Sequence, residues 1–287
     1  MNLPDLRQDK AIVARVREYY RQCYGPITPH WQKLADDVLN LDRERERIGK
    51  LESDLGLSLR GRRLLEIGSG FGLFVLAAHA AGASVGGVEP DEAACQTARM
   101  ILAKGGAPPS SICRAAGEAL PFADRSFDAI CSFQVLEHTR DPQAVLAEAL
   151  RVTRPGGVLY FVVPNYNSFW ESHYGLLWLP RLNKRVGKGL LRLLRRDPAF
   201  LDSIQYITPA RLRRILARIE TPHEVLSWGV QTWRQRLLGR DMTRWGQTGP
   251  LLRVLRIAHA LRLTRLVAWA GEKLESYYPI ILVLHRM

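Results

Sequence analysis

The sequence predicts an α/β protein built on a parallel sheet, and three observations carry that reading. Between residues 63 and 163, short apolar β-type runs alternate with helical stretches, the order expected of right-handed βαβ units. The first run ends in a glycine-rich turn, LLEIGSGFG at residues 64–72. The second ends in an acid, Glu89, 21 residues after Gly68. The 287 residues leave room for one such core with additions.

Taken in order, residues 1–60 read as a helical cap. An aromatic cluster (Tyr19, Tyr20, Tyr24, His30, Trp31) precedes a charge-laced stretch, 43–55, that reads as a solvated helix face. The core covers residues 61–164, with strands expected at 63–67, 84–89, 127–133 and 158–163. Helices are expected at 71–81, 92–104 and 143–152, and Pro155-Gly156-Gly157 marks the turn into the last strand. Residues 165–207, rich in Trp, Tyr, Pro and Arg, read as a cap on the substrate side. In 208–287, Thr208-Pro209 opens a helix whose Leu212, Ile215, Leu216 and Ile219 fall at i, i+3, i+4 and i+7. A strand at 224–230, a basic insert at 231–272 and a β-like ending at 278–284 complete the chain.

Charge divides the chain. Residues 1–170 hold 20 basic and 20 acidic side chains, whereas residues 171–287 hold 21 and 8, so the net charge of +13 sits in the second part. Such asymmetry points to an anionic partner for that part. The four cysteines show no metal spacing, which suits a reduced, cytoplasmic setting. The N-terminal MNLPDLRQDK lacks an apolar signal region, and no apolar run reaches the roughly 18 residues a spanning helix needs. The expectation is a protein that is soluble or lies on a membrane.

Gly68, Gly70 and Gly72 let the backbone turn sharply beside a ligand at a helix N-terminus. The turn lacks the G-x-G-x-x-G pattern of dinucleotide sites, since Leu73 takes the last position. Glu89 is placed to accept from both hydroxyls of a ribose.

With these residues stand GGVEP, EALPFADRSFDAI, FQVLEH and RPGG, in that order. The set resembles the class I S-adenosylmethionine-dependent methyltransferases of the small-molecule branch, over residues 60–163. The resemblance implies a Rossmann-like, doubly wound, seven-stranded sheet, mostly parallel with one antiparallel strand. It implies S-adenosyl-L-methionine as cofactor, lying over the carboxyl ends of the strands. Glu66, Gly68 and Gly70 would line its methionine end, with Ser69 and Gly72 completing the turn. Glu89 would bind the ribose, Pro90 would lie beside the adenine, and Gly117, Glu118 and Ala119 would border it. Many members carry Asp where this chain has Ala116, which leaves Glu118 as the candidate contact to the adenine amine. Phe133 and Gln134 would lie next to the cofactor's amino acid and methyl group.

A hydroxyl acceptor needs its proton removed, and His138 is the candidate base, joined by His173 and Tyr174 after the fifth strand. Trp170 and Trp178 would form an apolar wall there. FQVLEH resembles quinone-biosynthesis O-methyltransferases, in which an E-x-x-E-H set binds a divalent cation. Here the first acid is Gln134, so no metal is expected at Glu137 and His138. Pro164-Asn165-Tyr166 lacks the second proline of the motif of amino-directed nucleic-acid methyltransferases.

In residues 185–196, Arg185, Lys188, Arg192, Arg195 and Arg196 fall on one side of a helix, with Val186, Leu190, Leu191, Leu193 and Leu194 opposite. Arg253, Arg256, Arg262 and Arg265 lie among apolar residues further on. The expected partners are therefore a small or lipid-linked acceptor and an anionic membrane surface, on whose inner face the protein would sit peripherally. RNA is the rival, and a cofactor-binding scaffold without catalysis is the non-enzymatic alternative.

Overall fold

The computed structural model describes residues 3–239 and 249–287. Residues 240–248 of the basic insert and the first two residues lie outside the described residues. Seven strands form one sheet: β1 (Arg63–Ile67), β2 (Ser84–Glu89), β3 (Ile112–Arg114), β4 (Phe127–Phe133), β5 (Thr153–Val163), β6 (His223–Ser227) and β7 (Ile280–Arg286). Their order is β3-β2-β1-β4-β5-β7-β6. β1 to β5 run parallel, and β7 runs antiparallel to both of its neighbours, β5 and β6. The sheet is thus the doubly wound one expected. Strand order reverses at β1 and β4, the switch point where open α/β sheets bind ligands.

Helices α1 (Lys10–Tyr24), α2 (Trp31–Val38) and α3 (Leu41–Leu55) precede the sheet, and α4 (Leu73–Ala80), α5 (Glu92–Lys104) and α6 (Pro142–Val152) cross between its strands. α7 (Lys184–Leu193), α8 (Phe200–Ser203), α9 (Pro209–Leu216), α10 (Val230–Leu238), α11 (Gly249–Ala260) and α12 (Thr264–Lys273) follow. Strand side chains alternate between faces. Leu64, Cys131 and Tyr160 pack with α1, α3, α4 and α5. Leu65, Ile67, Ile130 and Leu159 pack with α6, α9, α10 and α12. A third cluster, Ile27, Tyr166, Tyr174, Trp178, Leu191, Leu201 and Ile204, joins the segment after β5 to the N-terminal helices.

Several expected bounds shift, each for a local reason. α4 starts at Leu73 because Gly72 sits in the left-handed region, φ 71°. β6 stops at Ser227 and the chain enters α10 after Gly229, φ 81°, so residue 230 is helical. β7 begins beyond Pro279, which has no N–H to give a ladder. β5 already starts at Thr153, and the glycine pair lies within it beside a register shift between Phe127 and Ala129, in place of the expected turn. The three-residue β3 is too short to show a period. α3 is not merely solvated: Leu41, Ile48 and Leu51 form a buried stripe beneath its charges.

Candidate active site

β1 delivers the turn at residues 68–72 to the carboxyl edge of the sheet. Gly68 is required there: at φ 75° a Cβ would lie 2.3 Å from a methyl of Val135. Gly70, φ 51°, faces open space, with nothing within 4 Å of a Cβ. The N–H groups of Gly68 and Ser69 donate to the Val88 carbonyl at 2.8 and 2.9 Å, which ties the turn to β2. The Gly70 N–H donates to Glu89 Oε2 at 2.9 Å, and that of Asp91 donates to Oε1 at 3.0 Å. Burial raises the Glu89 carboxyl, against those two hydrogen bonds.

Glu66 is buried beside the turn, and its Oε2 has no hydrogen-bond partner; the same holds for Ser69 Oγ. Burial raises the Glu66 carboxyl well above the usual range, Glu44 adds to this and Arg47 opposes it. Two crowded carboxyls would repel a pyrophosphate and would welcome a cationic, hydroxyl-bearing ligand. Tyr19 stands edge-on to Phe71 in the turn, with ring centroids 5.2 Å apart, so α1 roofs this edge.

The remaining cofactor candidates are placed unevenly. Pro90 and Ala119 are exposed, and Gly117 is buried, 2.9 Å from an Ile67 methyl were it to carry a Cβ. The Glu118 carboxylate accepts from the Arg140 N–H at 2.8 Å and the Asp141 N–H at 3.4 Å. It is therefore engaged in holding the turn before α6. Phe133 packs on Phe74 at 5.1 Å beneath the Arg47 guanidinium, 4.6 Å from its ring centroid. Gln134 is exposed and left-handed, φ 57°, a conformation that costs a non-glycine residue about 1 kcal/mol or more.

Beyond β4, a single 3₁₀ turn, Leu136–His138, presents Glu137 and His138. The chain after β5 forms a short hairpin, Trp170–Glu171 against Leu176–Leu177, whose loop carries His173. The hairpin brings His173 Nε2 to 3.1 Å from His138 Nε2, across 35 residues of sequence. Both nitrogens lie 3.8 Å from Glu137 Oε1. His173 Nδ1 meets Glu171 Oε1 at 2.7 Å, and Glu171 also accepts from the Tyr174 N–H at 2.7 Å and the Tyr166 hydroxyl at 3.1 Å. Glu137 is fully buried, and neither of its carboxylate oxygens has a hydrogen-bond partner.

Burial raises the Glu137 carboxyl to about 7, against the pull of His173. Burial and then His173 lower His138. Burial would lower His173 too, but Glu171 raises it past its ordinary value.

Tyr174 does not join this cluster: its hydroxyl donates to the Asp197 carbonyl at 2.7 Å. Trp170 and Trp178 are both buried in packing. Asn165 is structural, its amide donating to the carbonyls of Tyr277 and Glu275 at 2.6 and 2.8 Å. Sequence reasoning passed over Glu171, whose two-residue strand shows no pattern; its place two residues before His173 was the available signal. Tyr24 also went unassigned; burial first, then the charges of Cys23, Glu137 and Glu89, raise its hydroxyl.

The basic helix exists as α7, but its apolar side is largely uncovered. Leu191 is buried, whereas Val186 is 61% exposed and Leu193 79%. Arg185, Arg192 and Arg195 are exposed; Lys188 pairs with Asp202 at 2.6 Å, and Arg196 donates to the Ile27 carbonyl. Exposed Ile257 on α11, Leu261 just past its end, and Leu266 and Trp269 on α12 show the same character. Among the described residues no helix is long and apolar enough to cross a membrane.

Residues 65–161 match the family model described as a methyltransferase domain. An uncharacterized methyltransferase of Mycobacterium marinum is 48% identical over 113 residues, covering 38% of this chain and 43% of the relative. One of Mycobacterium avium is 46% identical over 135 residues, 47% of each chain. The chain thus spans less than half the length of these curated relatives. A geranyl diphosphate methyltransferase solved with GPP and sinefungin superposes with TM-score 0.51 at 16% identity, over 85% of this chain and 78% of that one. The [4+2]-cyclase SpnF superposes with TM-score 0.50 at 18% identity, over 100% and 98%. Two chemistries on one fold leave that likeness as evidence of the fold alone.

Proposed function

We propose that the chain, whose residues 65–161 match a methyltransferase-domain model, is a class I S-adenosylmethionine-dependent methyltransferase that transfers a methyl group from that cofactor to a hydroxyl oxygen of a small or amphiphilic acceptor met at an anionic membrane surface. A glycolipid, a lipid-linked sugar or a quinone-like precursor has the required character. The observation that carries the reading is the pairing of the glycine turn with Glu89. One backbone N–H of the turn and the carboxylate meet at 2.9 Å, beside the orphaned oxygen of buried Glu66. This cradle matches a cationic nucleoside with a ribose diol.

S-adenosylmethionine supplies a methyl group already activated on a sulfonium, so the protein's work is alignment, water exclusion and care of the acceptor's proton. Glu89 would hold the ribose, and Glu66 and Ser69 would meet the amino-acid end. The tyrosines of α1 would close the site from water. As the C–S bond breaks and a C–O bond forms, the hydroxyl proton must leave or the oxyanion must be stabilised. The Glu137, His138 and His173 cluster beyond β4 offers bases for that purpose. The membrane part rests on α7, whose exposed apolar residues lie beside a separate side of exposed arginines as on interfacial helices.

Incubation with methyl-labelled cofactor and separate lipid, RNA and metabolite fractions tests the reading. Label in a base-stable ether of the lipid or metabolite fraction is expected. Label in RNA would replace the acceptor class, and cofactor binding without any transfer would leave a scaffold.

A further inference from the structure

We propose that the hairpin after β5, together with α7, α11 and α12, forms one docking face for an anionic lipid bilayer, and that the acceptor enters the site from that bilayer past Phe200. The entry route rests on the amphiphilic-acceptor reading above, whereas docking itself does not depend on methyl transfer.

The hairpin joins the elements of this face. The Trp178 N–H donates to the Phe169 carbonyl at 3.0 Å and extends the hairpin's ladder by one residue. The Trp178 ring packs on α7, where a Cβ on Gly187 would lie 2.7 Å from it. The second strand, Leu176–Leu177, lies against α11, and α11 lies against α12. α12 is seated in turn on α10, since a Cβ on Gly271 would lie 2.3 Å from the Trp233 ring.

The elements so joined turn large apolar side chains outward. Phe169, Leu177 and Leu179 are exposed around buried Trp178. α7 presents exposed Val186, Leu190 and Leu193 at i, i+4 and i+7. On α12, Ala268 and Gly271 are buried, while Leu266 and Trp269 stand outward, the latter 58% exposed. An exposed tryptophan forfeits much of the burial its ring could make, and soluble proteins rarely gather such residues without a partner.

Charge selects the partner. Residues 172–196 hold seven basic side chains and no acid, and residues 249–271 hold four arginines and no acid. Those four, Arg253, Arg256, Arg262 and Arg265, are all exposed. A second copy of the chain would set these charges against one another. RNA would meet the arginines and leave the leucines and Trp269 in water. An anionic bilayer takes both, the apolar side chains entering the acyl boundary and the guanidiniums resting among lipid phosphates.

The face adjoins the acceptor side of the site. The hairpin's own loop carries His173. α8 is tied to α7 by Lys188 and Asp202 at 2.6 Å, and it sets the Phe200 ring 5.8 Å from that of His138 and 5.4 Å from that of His173, between centroids. Phe200 is half-buried, and the His138 side chain is about one-third exposed. An acceptor held in the bilayer by its chain can therefore pass its polar end beside Phe200 to the imidazoles.

Cosedimentation of the full-length protein with mixed phosphatidylglycerol and phosphatidylcholine vesicles tests the face. Binding that falls with salt is expected, with none to pure phosphatidylcholine. Leu177→Asp with Leu179→Asp, and Leu266→Asp with Trp269→Asp, should each lower binding several-fold at near-native melting temperature. Met100→Asp with Met287→Asp adds the same charge on α5 and beyond β7 and should bind as the wild type does. Brominated phospholipid should quench wild-type tryptophan fluorescence, and less so in Trp269→Phe. No vesicle binding, no quenching, face variants that bind as the control does, or binding to RNA alone overturns the face. Label transfer to the lipid fraction, offered in vesicles or in non-ionic detergent, tests the route. The hairpin variant should lose transfer from vesicles in step with its binding and keep transfer from detergent; survival of the first or loss of the second overturns the route. Absence of any transfer by a wild type that binds vesicles removes the methyl-transfer reading and the route with it, and leaves the docking face standing.

Discussion

The two halves of the candidate site are built in opposite ways. The cofactor turn is local and made largely of backbone: a strand end, three glycines and one carboxylate across a parallel register. The cluster beyond β4 is made of side chains, gathered from a 3₁₀ turn and a hairpin that lie 35 residues apart in sequence. A backbone-built cradle tolerates change around it and depends on few side chains. A side-chain cluster fails with any member but governs only what that member does. Under the proposed function this contrast implies a division of labour, with cofactor binding on one side and acceptor chemistry on the other.

The largest effect is expected at Glu89. Its carboxylate holds two backbone N–H groups, and charge-assisted bonds of this kind are worth about 1.5–3 kcal/mol each. Glu89→Ala should weaken cofactor binding on the order of 1,000-fold in calorimetry, with its melting temperature followed in parallel. Next comes His138→Ala. It should cut turnover on the order of 100-fold or more while cofactor affinity stays within about twofold. Full activity, or an equal loss of affinity, would erase the proposed division.

A smaller effect is expected at α7. Val186→Asp together with Leu193→Asp should lower sedimentation with phosphatidylglycerol vesicles several-fold at unchanged melting temperature, since exposed positions shift stability by about 0.5 kcal/mol or less. Unchanged vesicle binding would detach the helix from any membrane role.

The smallest effect concerns pH. Glu66 and Glu89 both have raised carboxyl pKa values in the folded protein. Their contribution to stability is therefore complete below the ordinary value of 4.5 and is lost as pH rises through the folded values. A cationic cofactor favours the ionised forms, so its affinity should rise over the same interval and its binding should release protons. Calorimetry in buffers of different ionisation enthalpy measures that release; proton uptake would contradict the assignment.

The same contrast explains what the sequence revealed. The turn, Glu89 and the strands β1, β2 and β4 were legible because apolar runs and glycines carry them locally. α3 misled, since interleaved charges hid the stripe of Leu41, Ile48 and Leu51. Tyr174 looked chemical, but its hydroxyl is consumed by a carbonyl that only the folded cap supplies. Glu118 likewise serves the turn before α6. His138 and His173 were each visible; their meeting, and the role of Glu171 behind them, depended on a hairpin of two-residue strands with no sequence period. The whole site was therefore half readable, and the unreadable half is the one assembled by tertiary contacts.

The most direct measurement is a structure of the protein grown with S-adenosylhomocysteine. The account predicts the ribose diol on the Glu89 carboxylate and the amino-acid end over residues 68–72, near Glu66. A nucleoside bound elsewhere, or a cleft filled by Tyr19 and Tyr24 in their present places while the ligand stays in solution, would contradict it.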